Sequence, residues 1–155
     1  MTTLEAAPAR PRRGARRNKT LALLLAVASI FILAACRLSG SGTIPSATGR
    51  GQATFTFTAN CPSTGSVTGS MNYVDSRAGV SIHAVVGTGT NCSYGTIEGT
   101  YTPLKGGTGG TFTLCIAPGG TAYDYTGFFK ISLTGGVYDG YYDSGWVTKG
   151  NIVVS

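Results

Sequence analysis

Residues 53–59, Ala53-Thr54-Phe55-Thr56-Phe57-Thr58-Ala59, alternate strictly between small or aromatic apolar side chains and threonine. Successive side chains of an extended strand point to opposite faces, so this period of two predicts a half-buried strand with Phe55 and Phe57 on its dry side. The same period recurs. Val80, Ile82, Ala84 and Val86 oppose Ser81, His83 and Val85; Phe112, Leu114 and Ile116 oppose Thr111, Thr113 and Cys115; Phe129, Ile131 and Leu133 oppose Phe128, Lys130 and Ser132. Weaker strands read at 66–74, 94–102, 137–142 and 151–155. Clusters of Gly, Ser, Thr, Asn and Asp at 75–79, 87–93, 105–110, 117–120 and 134–136 are turn chemistry between them. Short strands joined by short polar loops predict an all-β domain over 51–155. It should be a single antiparallel meander of about eight strands, closed as a small barrel or a sandwich.

Composition agrees. Of the 24 glycines, all but Gly14 follow residue 35, mixed with Thr, Ser and aromatics, which excludes a helical bundle or coiled coil. The formal charge of +6 is uneven. Arg10, Arg12, Arg13, Arg16, Arg17 and Lys19 stand against Glu5 in residues 1–35, giving +5, and the remaining residues carry +1. A nucleic-acid binder needs its bases on the folded body to neutralise phosphates, and this body is almost neutral, so no nucleic-acid partner is expected.

The basic stretch 10–19 precedes an uncharged apolar run, 20–35. That run is short for a stable span of about 20 residues but suits the helical core of an export signal. It ends in Leu33-Ala34-Ala35-Cys36, and here the chain resembles the bacterial lipoprotein signal, whose lipobox reads Leu, small, small, Cys. The resemblance implies cleavage before Cys36, a diacylglyceryl group on its thiol, and anchorage to the outer face of the cell membrane or another envelope membrane. The Arg12-Arg13 and Arg16-Arg17 pairs leave general secretion and twin-arginine export both open. Residues 36–50, rich in Gly, Ser and Thr, read as the lipidated cysteine followed by a flexible tether.

A second resemblance rests on Asp75-Ser76-Arg77-Ala78-Gly79-Val80-Ser81-Ile82-His83, Gly110-Thr111-Phe112-Thr113-Leu114, Phe129-Lys130-Ile131 and Gly150-Asn151-Ile152-Val153-Val154. These stretches are similar to the post-COAP domain, a small all-β module of exported bacterial proteins. The resemblance implies an exported β-module and carries over no catalytic residue.

Chemistry-bearing residues are sparse. His83 is the sole histidine, and Asp75 across a hairpin is its only candidate partner for a triad-like site. One histidine with Cys61, Cys92 and Cys115 has no zinc-ligand spacing, and the glycines at 106–110 lack the Lys-Ser/Thr and helix of a phosphate loop, so no metal or cofactor is expected. Asp139 and Asp143 offer paired carboxylates for a small envelope hydrolase. Read as a strand, 137–142 continues this pair onto a wet face. It puts Tyr138, Tyr142 and Trp146 in the core and leaves Tyr141 between Asp139 and Asp143 as a shallow glycan platform. With Cys36 taken by lipid, the expected disulfide joins Cys61 to Cys92 and leaves Cys115 a thiol. The scarcity of titratable groups favours a non-catalytic binding or structural module of the envelope, with cell-wall glycan or a surface protein as partner, over the hydrolase using His83 or the two aspartates.

Overall fold

The alternating segments pair into one nine-stranded antiparallel sheet in the order β8-β7-β6-β5-β4-β3-β2-β1-β9. The strands of the computed structural model are β1 (Cys36–Pro45), β2 (Gln52–Cys61), β3 (Thr68–Asp75), β4 (Val80–Gly89), β5 (Thr96–Pro103), β6 (Gly110–Gly120), β7 (Tyr125–Thr134), β8 (Tyr142–Trp146) and β9 (Lys149–Val154). The structure describes residues 36–62, 66–89, 96–120 and 125–155. The helical signal segment expected before the domain lies outside the described residues, as does Cys92. Among the described residues the only helical turn is the short 3-10 turn Gly136–Tyr138.

The sheet is rolled. Phe55 of β2 stacks on Phe129 of β7 at 4.2 Å and Tyr73 of β3 stacks on the same ring at 5.9 Å, although β3 and β7 are separated by three strands in the sheet. Rings from distant strands meet only if one face of the sheet has closed on itself. The inward set is the predicted one: Phe55, Phe57, Val80, Ile82, Ala84, Val86, Phe112, Leu114, Ile116, Phe129, Ile131 and Leu133 are all buried. The seam is formed by residues 142–154, which cross from one neighbour to the other. β8 pairs with β7, Val147 N–H donates to Gly127 O at 2.9 Å, Thr148 N–H donates to Thr43 O at 2.8 Å, and β9 then pairs with β1. The meander is thus a half-closed barrel whose two edges are successive stretches of one segment.

Residues 36–45 correct the sequence reading. The stretch expected to be a tether is β1, bonded along its length to β2 on one side and to β9 on the other. Its inward positions are Leu38, Gly40, Gly42 and Ile44, and only the two ends look apolar in sequence. The glycines are space for neighbours rather than flexibility. A Cβ at Gly42 would lie 2.3 Å from the Lys149 carbonyl oxygen, and one at Gly150, opposite it with φ +93°, would lie 1.9 Å from that of Ser41. Only glycine permits this approach of β1 and β9. Beyond it, Arg37 and Ser155 exchange N–H to carbonyl bonds of 2.8 Å each way.

Candidate functional site

Two arrangements stand out, one inside the barrel and one on its wall. The inner one is built from a sequence unit that occurs twice, Tyr73-Val74-Asp75 at the end of β3 and Tyr141-Tyr142-Asp143 at the start of β8. In an extended chain residues two apart share a face, so each unit sends a phenol and a carboxylate into the same barrel end. The units are cross-linked. Tyr73 Oη bonds Asp143 Oδ2 in a very short contact and lies 2.7 Å from Tyr141 Oη, and Tyr141 Oη donates to Asp75 Oδ2 at 3.0 Å. Asp75, fully buried, also accepts from Ser46 Oγ at 2.8 Å and from the N–H groups of Ala47, Arg77 and Ala78 at 3.0–3.2 Å. Asp143 accepts in addition from Ser144 N–H at 2.9 Å.

The two carboxyls are pushed apart. Burial raises Asp75, but its hydrogen bonds from Ser46, Ala78, Tyr141 and Ala47 outweigh that and hold its carboxyl below the usual range. Burial dominates at Asp143 and, with the nearby charge of Asp75, raises it. Burial likewise drives both Tyr73 and Tyr141 far above the ordinary phenol value, so both stay protonated.

This geometry revises the expected platform. Asp143 is only 3% exposed, and Tyr141 is half-buried with its hydroxyl inward. Asp139 is exposed, but it is spent on the turn, accepting from Gly135 N–H at 2.6 Å. The phase is the reverse of the expected one because 136–141 is a turn rather than a strand, and because a carboxylate lies on the dry face where phenols satisfy it. A repeated Tyr-x-Asp in the inward phase was the signal available in sequence. Two of the expected core set move the other way, Tyr142 being 51% and Trp146 57% exposed, whereas Tyr138 is half-buried and packs against the core.

Those two rings form the outer arrangement. On the solvent side of β7 and β8, Phe128 faces Trp146 edge-on at 5.2 Å, and Lys130 Nζ sits 5.4 Å from the Tyr142 ring centre. Tyr142 Oη donates to Ser144 Oγ at 3.2 Å, leaving a row of aromatic faces with polar tips. Tyr142 also borders a shallow cleft of about 240 Å³ lined by Pro45, Ser46, Ala47, Gly49, Asp143 and Ser144.

The remaining candidates do not converge. His83 points outward and its Nδ1 lies 2.9 Å from Asn72 Oδ1, whereas Asp75 points inward on the opposite face of the sheet. Asp139 and Asp143 lie on opposite sides of the barrel wall, one in solvent and one inside. Among the described residues no three His, Cys, Asp or Glu side chains gather as a metal site. Cys61 is disulfide-bonded, and Cys115 is a free, half-buried thiol. In comparisons with known proteins the chain matches no family model, no curated protein and no solved structure.

Proposed function

We propose that the protein is an exported, lipid-anchored, non-catalytic module of the cell envelope that binds cell-wall polysaccharide on the outer aromatic face of β7 and β8. The observation that carries the reading is the exposure of Tyr142 and Trp146 on the same face of one short strand. Large rings left in solvent are costly for a domain with an otherwise ordered core, and flat apolar faces with hydroxyl and ammonium groups beside them suit the alternating C–H and O–H surface of a sugar. The post-COAP resemblance supports an exported β-module, and the lipobox supports the anchor.

Lipidation at Cys36 has a structural consequence in this reading. β1 starts at Cys36 itself, so the barrel sits directly on the membrane by the end that also holds Cys61 and Ser155. The turns at 46–51, 76–79 and 104–109, with the Tyr142 cleft beside the first of them, face away.

Trp146 is the sole tryptophan, so its fluorescence reports the face directly. Titration of the full chain in detergent with purified envelope polysaccharides is expected to shift that emission with Kd about millimolar, near −4 kcal/mol. Tyr142→Ala is expected to weaken binding about tenfold, or ~1.4 kcal/mol, and Tyr141→Phe to leave it unchanged. Unaltered emission and unaltered sedimentation with polysaccharide would exclude the glycan reading. For the anchor, Cys36→Ser is expected to accumulate full-length precursor, and the native mass to show a lipidated chain starting at residue 36. Peptide mapping supplies an independent check. Cys61 joined to Cys92 leaves Cys36 open to lipid, whereas Cys61 joined to Cys36, which lies opposite it in the β1–β2 ladder, does not.

A further inference from the structure

We infer that Asp143 is held as a neutral carboxylic acid inside the folded barrel. It heads a one-way hydrogen-bond chain through Tyr73 and Tyr141 to the ionised Asp75, and its ionisation on raising the pH removes one of the links tying β8 to β3. The inference does not depend on lipidation or on glycan binding.

The hydrogens available to the cluster can be counted. Three short oxygen–oxygen contacts run in series: Asp143 Oδ2 to Tyr73 Oη, Tyr73 Oη to Tyr141 Oη at 2.7 Å, and Tyr141 Oη to Asp75 Oδ2 at 3.0 Å; a fourth, Tyr141 Oη to Asp143 Oδ2, is longer at 3.4 Å and competes for the Tyr141 hydrogen with the shorter bond to Asp75. Each short contact requires one hydrogen between its oxygens, and two phenols supply two. The third must sit on a carboxyl. Asp75 is the wrong one, because a hydroxyl and three backbone N–H groups already point at its two oxygens and would oppose a proton there. Asp143 has Oδ1 engaged by Ser144 N–H alone, while Oδ2 faces the phenols. With the proton on Asp143, each of the three short contacts has its donor: Asp143 gives to Tyr73, Tyr73 to Tyr141, and Tyr141 to Asp75.

The surroundings favour the neutral form. The titratable groups facing Asp143 are Tyr73 and Asp75 from β3 and Tyr141 from the turn before β8. From β7 its partner is the apolar Ile131, and the 46–51 turn contributes Ser46 to the shared cleft. No described Lys, Arg or His side chain bonds to either carboxyl; Arg77 reaches Asp75 through its backbone N–H, and its side chain passes Gly51. An anion at Asp143 would therefore face the Asp75 charge with no cation nearby. The opposite pKa directions of the two aspartates agree with this assignment.

The sign of the effect follows. A folded-state pKa raised above the unfolded value of about 3.9 gives stability that is complete below that value and is lost as pH rises through the folded value. The segment so loosened, 141–144, includes Tyr142 and three residues that line or adjoin the cleft.

The test uses the ¹³C-labelled full chain in detergent micelles, following the carboxyl carbons of Asp143 and Asp75 with pH. The expected result is an Asp143 midpoint above the ordinary aspartate value and an Asp75 midpoint below it. An Asp143 carbon that titrates at or below the ordinary value overturns the proposal. Asp143→Asn keeps a neutral donor toward Tyr73, so it is expected to fold and to remove the alkaline loss of stability, whereas Asp143→Ala leaves the chain without its head. A folded Asp143→Asn that keeps the wild-type loss of stability overturns the proposal. If that variant fails to fold, the wild-type carbon midpoint alone decides.

Discussion

A chain that begins at residue 51 is expected not to fold, whereas one that begins at residue 36 folds as the full chain does. By composition residues 36–50 are dispensable, but in the barrel they are a strand between β2 and β9. Their removal takes out the buried Leu38 and Ile44, about 3–6 kcal/mol together. It also strips the inner ladders of β2 and β9 and opens the seam where Thr148 N–H bonds Thr43 O. Small domains hold about 5–10 kcal/mol in total, so the loss is of the same size as the whole stability. Amide dispersion in a ¹H–¹⁵N spectrum distinguishes the two chains. A dispersed spectrum from residues 51–155 alone would show that β1 is not part of the cooperative unit.

Asp75→Asn is expected to destabilise the domain by about 3 kcal/mol at neutral pH, among the largest effects for a single polar change. Asp75 takes hydrogen bonds from Ser46 Oγ, from three backbone N–H groups and from Tyr141 Oη, tying the β1–β2 turn, the β3–β4 turn and β8 together. The amide nitrogen of asparagine would meet donors at one of those positions, and the lost charge weakens the rest. The pH dependence separates this from a packing defect. A lowered pKa gives stability that is present above about pH 3.9 and is lost as pH falls through the folded value. The gap between wild type and Asp75→Asn in urea midpoints is therefore expected to close in acid. A gap that stays constant down to pH 2 would mean that Asp75 acts through shape alone. The trend is opposite to that expected for Asp143, whose contribution is lost on the alkaline side, so the two carboxyls of one cluster have pH profiles of opposite sign.

The inward phase of β2, β4, β6 and β7 was legible because a rolled sheet has one dry face, and every second side chain along those strands is apolar. The all-β meander and its turns follow from that alternation. Two elements escaped it for one reason: the barrel interior near its seam is not filled by the side chain of the residue that points there. In β1 the inward positions 40 and 42 are glycine, and their space is taken by the Phe57 ring, Val147 and the backbone of β9. Local composition thus reads as a tether. In β8 the inward position 143 is an aspartate, which sequence alone assigns to water, and the outward positions 142 and 146 are aromatic, which sequence assigns to the core.

The alternation of residues along single strands, a local property, was enough to establish β2, β4, β6 and β7 and their dry faces. Whether the meander closes, which stretch seals it, and on which side Asp143 and Tyr142 lie depend on partners distant in the chain: Thr43 for Thr148, Tyr73 for Asp143, Pro45 against Gly145. A buried carboxyl is tolerable only where donors from other strands converge on it, and a glycine strand is stable only where neighbours occupy the volume it leaves. Both conditions exist only once the sheet has rolled, so tertiary structure alone decided them.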